Sequence, residues 1–368
     1  MFLLQRSKVC AALAAMAIVP ALPVCGLHAQ EVRDAVPTRQ IRVTDADVKA
    51  AANVKWSSYH VMAANMPGAK QKAAALNAAN AKRVAERDGQ EPRTEITKPK
   101  GTLAQPYFYP ADLSKGSSTA VLLKSAVHHA VYVNLPGKTT VLQEWGNPEG
   151  FLTDLFKSTF IHLVDQYTGS TTGTYTVGPS VSENYGVYGN VIYEHEIWSI
   201  VHAAASLKGF SGGTGQVYHV FLPNGMDTCF DETSDCYSPD NFATWDFCAY
   251  HDAVKFSDKV GVVLFTVEPY QKVDGCAVHQ PSANGELIDS TDSVLSHETF
   301  ETISDPEPDS GWTNQISLDL EGAEIGDECQ PVTDDNGDFL VPKVSINGKE
   351  YSVQLEYSNT YHACAAQP

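Results

Sequence analysis

Six of the eight cysteines in this chain, Cys229, Cys236, Cys248, Cys276, Cys329 and Cys364, lie in its second half. An even set of this kind closes into three disulfides only in an oxidising compartment. The other two, Cys10 and Cys25, fall within residues 1–29, which read as a secretory signal. Arg6 and Lys8 form its basic start, Ala11 to Pro20 its apolar run, and Leu27-His28-Ala29 ends in the small residue expected before a cleavage site. Cys25 also admits a lipoprotein anchor, against which the bulky Val24 argues. The expected location is secreted or periplasmic. Six cysteines admit many connectivities, among which sequence does not choose; the expected pairing is Cys229 with Cys236, Cys248 with Cys276, and Cys329 with Cys364.

Loss of Arg6 and Lys8 with the signal takes the formal charge from -19 to -21. Such a chain is repelled by phosphate backbones and by anionic membrane surfaces, so nucleic acid is not an expected partner. No later apolar run approaches the roughly 18 residues that span a bilayer, and no membrane span is expected. The expected partner is a peptide or an extracellular polymer.

The chain divides into a signal (1–29), a helical arm or pro-region (30–104) and a main α/β domain (105–368). Thr44 to about Arg93 is rich in Ala, Lys, Asn and Glu, with Trp56, Tyr59 and Val61 as its exceptions, and Lys98-Pro99-Lys100-Gly101 reads as a linker. The alternative is a set of helices packed on the domain. Further on, Ala130–Asn134, Val217–Leu222 and Val260–Val267 read as strands, while Pro148–Gln166 and Tyr193–Leu207 have helical spacing. This alternation predicts an α/β (α+β) fold: a mixed-sheet domain with helices, stapled by disulfides. Asn347-Gly348 between two β-rich runs predicts a hairpin. Asp334 to Asp338 carries its glycine at the wrong offset for a calcium loop and reads as a turn.

The chemistry gathers in Ser296-His297-Glu298-Thr299-Phe300-Glu301-Thr302-Ile303-Ser304-Asp305-Pro306. Asp289 to Asp292 supply capping candidates, and Pro306 closes a helix of about four turns. On that helix His297 and Glu301, four apart, share a face, with Glu298 about a quarter turn round. The metalloprotease signature H-E-x-x-H has two ligands at this spacing and its Glu as general base; here Glu301 stands where the second His would be. The competing reading is a surface helix with a solvated acidic face. Elsewhere, Glu194-His195-Glu196 with His202 reads as an ordinary amphipathic helix. His128 and His129, adjacent on a strand, face opposite sides and cannot chelate together. His251 and His279, each three residues after a cysteine, are candidates for a site wall.

The ordered set Tyr218–Gly225, Phe247–His251, Ser296–Pro306, Trp312 and Glu324-Ile325-Gly326-Asp327-Glu328-Cys329 resembles the Exordium-like (phosphate-induced) secreted proteins and their bacterial relatives. The resemblance covers about residues 215–330 and implies an extracellular protein with a cell-wall or growth-related role. It also brings a second acidic group into play, on a loop that a disulfide at Cys329 would tie down. The expected site has His297 and Glu301 as metal ligands, Asp327 or Glu324 as the third, Asp305 in reserve, and Glu298 activating a metal-bound water. A divalent metal is the expected cofactor, zinc first. One histidine with two carboxylates neutralises the ion, which weakens it as a Lewis acid and turns preference toward manganese or calcium. The expected function is a secreted metal-dependent hydrolase, a zincin-like peptidase. The alternative is a non-catalytic extracellular or cell-wall-associated binding protein of Exordium-like type.

Overall fold

The computed structural model describes residues 39–65, 68–87, 112–135, 144–184, 190–230, 235–278, 283–315, 322–330 and 341–368. The segments read as a signal, as the Lys98–Gly101 linker and as the Asp334–Asp338 turn lie outside them, as does His279.

Eight strands form the central sheet: β1 (Arg39–Ile41), β2 (Trp56–Ala63), β3 (Ser125–Asn134), β4 (Thr174–Val177), β5 (Val181–Asn184), β6 (Gln216–Phe221), β7 (Phe247–Lys255) and β8 (Val262–Glu268). Their order is β1-β5-β3-β6-β8-β7-β2, with β4 also paired to β3. The run from β1 to β8 is parallel, and β7 and β2 add antiparallel at one edge. The mixed α/β class expected from the alternating pattern is the class observed. Parallel strands buried on both faces need apolar side chains on both, and Val131, Tyr132, Val133, Val217, Tyr218, Val263, Leu264 and Phe265 supply them.

Among the described residues six α-helices accompany the sheet: α1 (Asp45–Ala51), α2 (Ala69–Arg87), α3 (Pro148–Leu155), α4 (Asp165–Thr168), α5 (Glu194–Ser206) and α6 (Glu286–Ser304). Ile197, Ile200 and Val201 of α5 pack with Val131, Val220 and Phe265 on one face. Phe151 and Leu155 of α3 and Leu295, Phe300 and Ile303 of α6 pack with Tyr132, Phe221 and Leu264 on the other. The single helix expected over Pro148–Gln166 is broken: α3 stops at Leu155, a 3-10 turn follows over Phe160–Val164, and α4 ends at Gly169 in a left-handed conformation. Among the described residues no helix is long and apolar enough to cross a membrane.

In place of an all-helical arm, the segment before residue 88 contributes β1 and β2 to the sheet. The run Trp56-Ser57-Ser58-Tyr59-His60-Val61 pairs with β7 from Lys255 back to Tyr250. Its aromatic and β-branched residues suit a pleated, half-buried surface, and α2 covers it, with Asn77 and Asn80 accepting from the Val61 and Tyr59 amides.

Three disulfides join Cys229 to Cys236, Cys248 to Cys276 and Cys329 to Cys364, the pairing expected from sequence. The C-terminal hairpin is also present, Lys343–Ile346 against Lys349–Ser352. Asn347 at φ 50° and Gly348 at φ 79° make the turn that tolerates Asn-Gly best.

Candidate metal centre

Helix α6 stands where the sequence predicts it, ending at Ser304 before Pro306. Every residue from Asp289 to Ser304 is buried, so Glu298 and Glu301 do not form a solvated acidic face. The helix runs through the core, its apolar residues held by the sheet and α3 and its polar ones turned toward other polar groups. Asp289 accepts from Asn284 and from the Ser352 amide, which anchors the start. Asp305 accepts from the amides of Asp309 and Gly311 at 2.7 and 2.6 Å. That carboxylate therefore organises the turn after the helix and makes no close contact with His297.

Three histidines converge on this helix from three elements. His60 on β2 lies directly across from His251 on β7, so both side chains project from the same face of the sheet toward α6, and His297 completes the set. Three carboxylates alternate with them. Glu301 places Oε1 3.0 Å from His297 Nε2 and Oε2 3.8 Å from His251 Nε2. Glu324 places Oε2 3.3 Å from His251 Nε2 and Oε1 3.4 Å from His60 Nδ1. Asp327 places Oδ2 2.5 Å from His60 Nε2 and Oδ1 3.8 Å from His297 Nε2. The result is a closed ring of three imidazoles and three carboxylates.

The loop carrying Glu324 and Asp327 is held from several sides. Cys329 is bonded to Cys364, the Tyr357 amide donates to the Ile325 carbonyl, and the Gln330 side chain donates to the Ala63 carbonyl. Gly326 passes so close to His297 that a Cβ there would sit 2.4 Å from Nδ1. No other residue type allows the loop this approach. The Gln354 amide lies 3.2 Å from the same Nδ1 and fixes the ring plane, as outer-shell groups do for metal-ligating histidines.

Burial and charge set the protonation of the group. Burial acts to lower the pKa of His60, but the charge of Asp327 and its hydrogen bond outweigh this and push it up to about 9. The reciprocal effect holds Asp327 below the usual carboxylate range against its own burial. Burial, then His60 and His297, holds His251 well below the ordinary imidazole value. Glu298 is pushed well up by burial and by Glu301, Glu268, Asp327 and Glu356. Burial, followed by Asp305 and Glu301, does the same to Glu324.

Both carboxyl oxygens of Glu298, Glu301 and Glu324 lack a protein hydrogen-bond partner, as do both ring nitrogens of His251. An unsatisfied buried polar group costs about 1–3 kcal/mol, more when charged. Six such oxygens cost on the order of 10 kcal/mol, comparable to the whole net stability of a domain. A bound divalent cation removes this cost, and three ligand triads lie within reach of one: His60, Glu301 and Asp327; His251, Glu301 and Glu324; and His297, Glu298 and Glu301. The residues fit a metal ion, though they do not by themselves choose zinc.

The structure thus brings together His297, Glu298, Glu301, Glu324 and Asp327, the residues singled out from sequence, and adds two ligand candidates. His251 had been placed only in the site wall. His60 sits in the segment read as an arm, and its signal was the short aromatic and β-branched run around it.

The chain matches no protein-family model, no curated protein and no solved structure. The reading of its function therefore stands on this geometry.

Proposed function

We propose that the protein is a secreted metal-dependent hydrolase, a zincin-like peptidase in which Glu298 is the general base. The observation that carries this reading is the Glu298 carboxyl. It is wholly buried, has no hydrogen-bond partner on either oxygen, and is part of a triad with His297 and Glu301. A divalent ion, zinc or a harder cation such as manganese, would supply Lewis acidity and lower the pKa of a water molecule. His60, His251, His297, Glu301, Glu324 and Asp327 would hold the ion, and Glu298 would accept the proton from water on one of its free oxygens. The likeness to Exordium-like proteins supports an extracellular setting. Because His60 lies on β2, release of residues 30–104 as a pro-region would remove one of the three histidines.

The test is peptide hydrolysis by the metal-loaded protein and by Glu298→Gln. General-base catalysis contributes about 10²–10⁴-fold, so the variant is expected to lose at least about 100-fold in kcat with its metal content unchanged. Equal turnover by the two proteins would remove Glu298 from the role. A second reading, the non-catalytic binding protein, is favoured by one observation: His60, His251, His297, Glu298, Glu301 and Glu324 are all 0% exposed, and Asp327 alone reaches 9%. Metal retained by a protein that cleaves no member of a peptide library would select that reading.

A further inference from the structure

We infer that this centre holds two divalent cations bridged by Glu301. The inference rests on the metal-centre reading above and adds a second ion to it.

The first reason is geometric. Each of the three triads that could bind an ion contains one histidine, and no two histidines share a triad. The imidazoles of His60 and His251 lie 5.9 Å apart between ring centroids and belong to different triads. Glu301 is common to all three triads, and its two oxygens address different histidines, Oε1 facing His297 and Oε2 facing His251. Paired metal sites place two ions about 3.5–4 Å apart, a spacing that the two oxygens of one carboxylate can span. One ion would take His60, Asp327 and Oε1 of Glu301, the oxygen that also faces His297. The other would take His251, Glu324 and Oε2 of Glu301.

The second reason is charge. Glu298, Glu301, Glu324 and Asp327 are four carboxyl groups in one buried cluster, and among the described residues none of them forms an ion pair with lysine or arginine. One dication offsets two of these charges; two dications offset all four. In a medium of low effective dielectric an uncompensated charge costs several kcal/mol, and each dication bound in the cluster offsets two carboxylates.

This also accounts for the departure from H-E-x-x-H. A histidine in place of Glu301 would present one nitrogen to one ion. A glutamate presents two oxygens and can serve two.

The experiment counts ions without relying on activity. The full secreted chain is stripped with chelator, reloaded with manganese(II) alone, desalted, and measured by inductively coupled plasma mass spectrometry and by electron paramagnetic resonance. Two manganese per chain, with the spectrum of an exchange-coupled pair, is the expected result. One manganese per chain with an isolated six-line spectrum overturns the second ion and leaves the proposed function standing. No bound manganese, and none on repeating the count with zinc(II), overturns both. Glu324→Gln is expected to reduce the count from two to one; a count of two in that variant overturns the assignment of Glu324. Should the variant fail to fold, the wild-type count still decides.

Discussion

Two groups of buried histidines lie on the same face of the central sheet, and they are completed in opposite ways. His60, His251, Thr266 and His219 sit opposite one another across β2, β7, β8 and β6, with His128 on the neighbouring strand. At the β3–β6–β8 end the polar groups form a hydrogen-bonded chain that leaves only its two end atoms, His128 Nε2 and Glu268 Oε2, without a partner. His128 Nδ1 is 2.9 Å from His219 Nε2, His219 Nδ1 is 2.8 Å from Thr266 Oγ1, and that hydroxyl donates to Glu268 Oε1 at 2.9 Å. With Thr266 donating onward, His219 must donate from Nδ1 and accept on Nε2, which fixes both rings as neutral donors in one direction. Phe156 and Tyr175 pack against His128. At the β2–β7 end the imidazoles meet Glu301 and Glu324, neither of whose carboxyl oxygens has a hydrogen-bond donor. Burial alone therefore does not mark a functional histidine. The mark is how many unsatisfied atoms gather in one place after the protein's own groups have paired.

That contrast can be broken by experiment. The largest expected effect is from metal removal. An ion present at a thousand times its Kd stabilises by about 4 kcal/mol, so chelation should lower Tm by on the order of 10 °C in a domain of this size. Calorimetry with and without chelator measures it, and an unchanged Tm would mean the carboxylate ring is completed without a cation.

Next in size is Gly326→Ala, which drives a Cβ into His297. Overpacking of this kind costs about 1–3 kcal/mol. Urea denaturation should show that loss, together with reduced metal content; full metal content in the variant would separate His297 from the ion.

The smallest expected effect lies at the other group. Burial holds His219 down at about 3 and His128 well below its ordinary value. Unfolded histidine titrates near 6.5, so below that pH the unfolded chain binds protons that these folded residues do not. Their contribution to stability is therefore complete above about pH 6.5 and falls by about 1.4 kcal/mol per pH unit per histidine as the pH drops. Comparing urea midpoints from pH 7 to pH 5 for the native chain and for His219→Gln isolates one proton of that slope. Equal slopes would show that His219 is not held neutral.

Much of the fold was legible. The apolar runs at Val217 and Val260 gave two central strands because strands buried on both faces must be continuously apolar. The Asn-Gly turn gave the hairpin because left-handed backbone there has few acceptable residues. Trp56–Ala63 was not legible as a strand: it is short, it is flanked by alanine-rich helical sequence, and its place depends on β7, nearly 200 residues away. The site divided in the same way. His297, Glu298 and Glu301 could be grouped because helical spacing is local. His251 gave only a hint, since strand alternation fixes a face but not what lies over it.

By itself the sequence determined the mixed α/β class, the set of six cysteines available for pairing, and the placement of one histidine and two glutamates on one helix. Each follows from forces acting over a few residues or from simple counting. Only the tertiary structure decided that this helix is buried on every side, that His60 and His251 face it as cross-strand partners, and that the Glu324–Asp327 loop closes the ring through Gly326. Those outcomes depend on strand pairing and loop docking between segments far apart in the chain. There the energy comes from burial and the matching of polar groups, which no local pattern encodes.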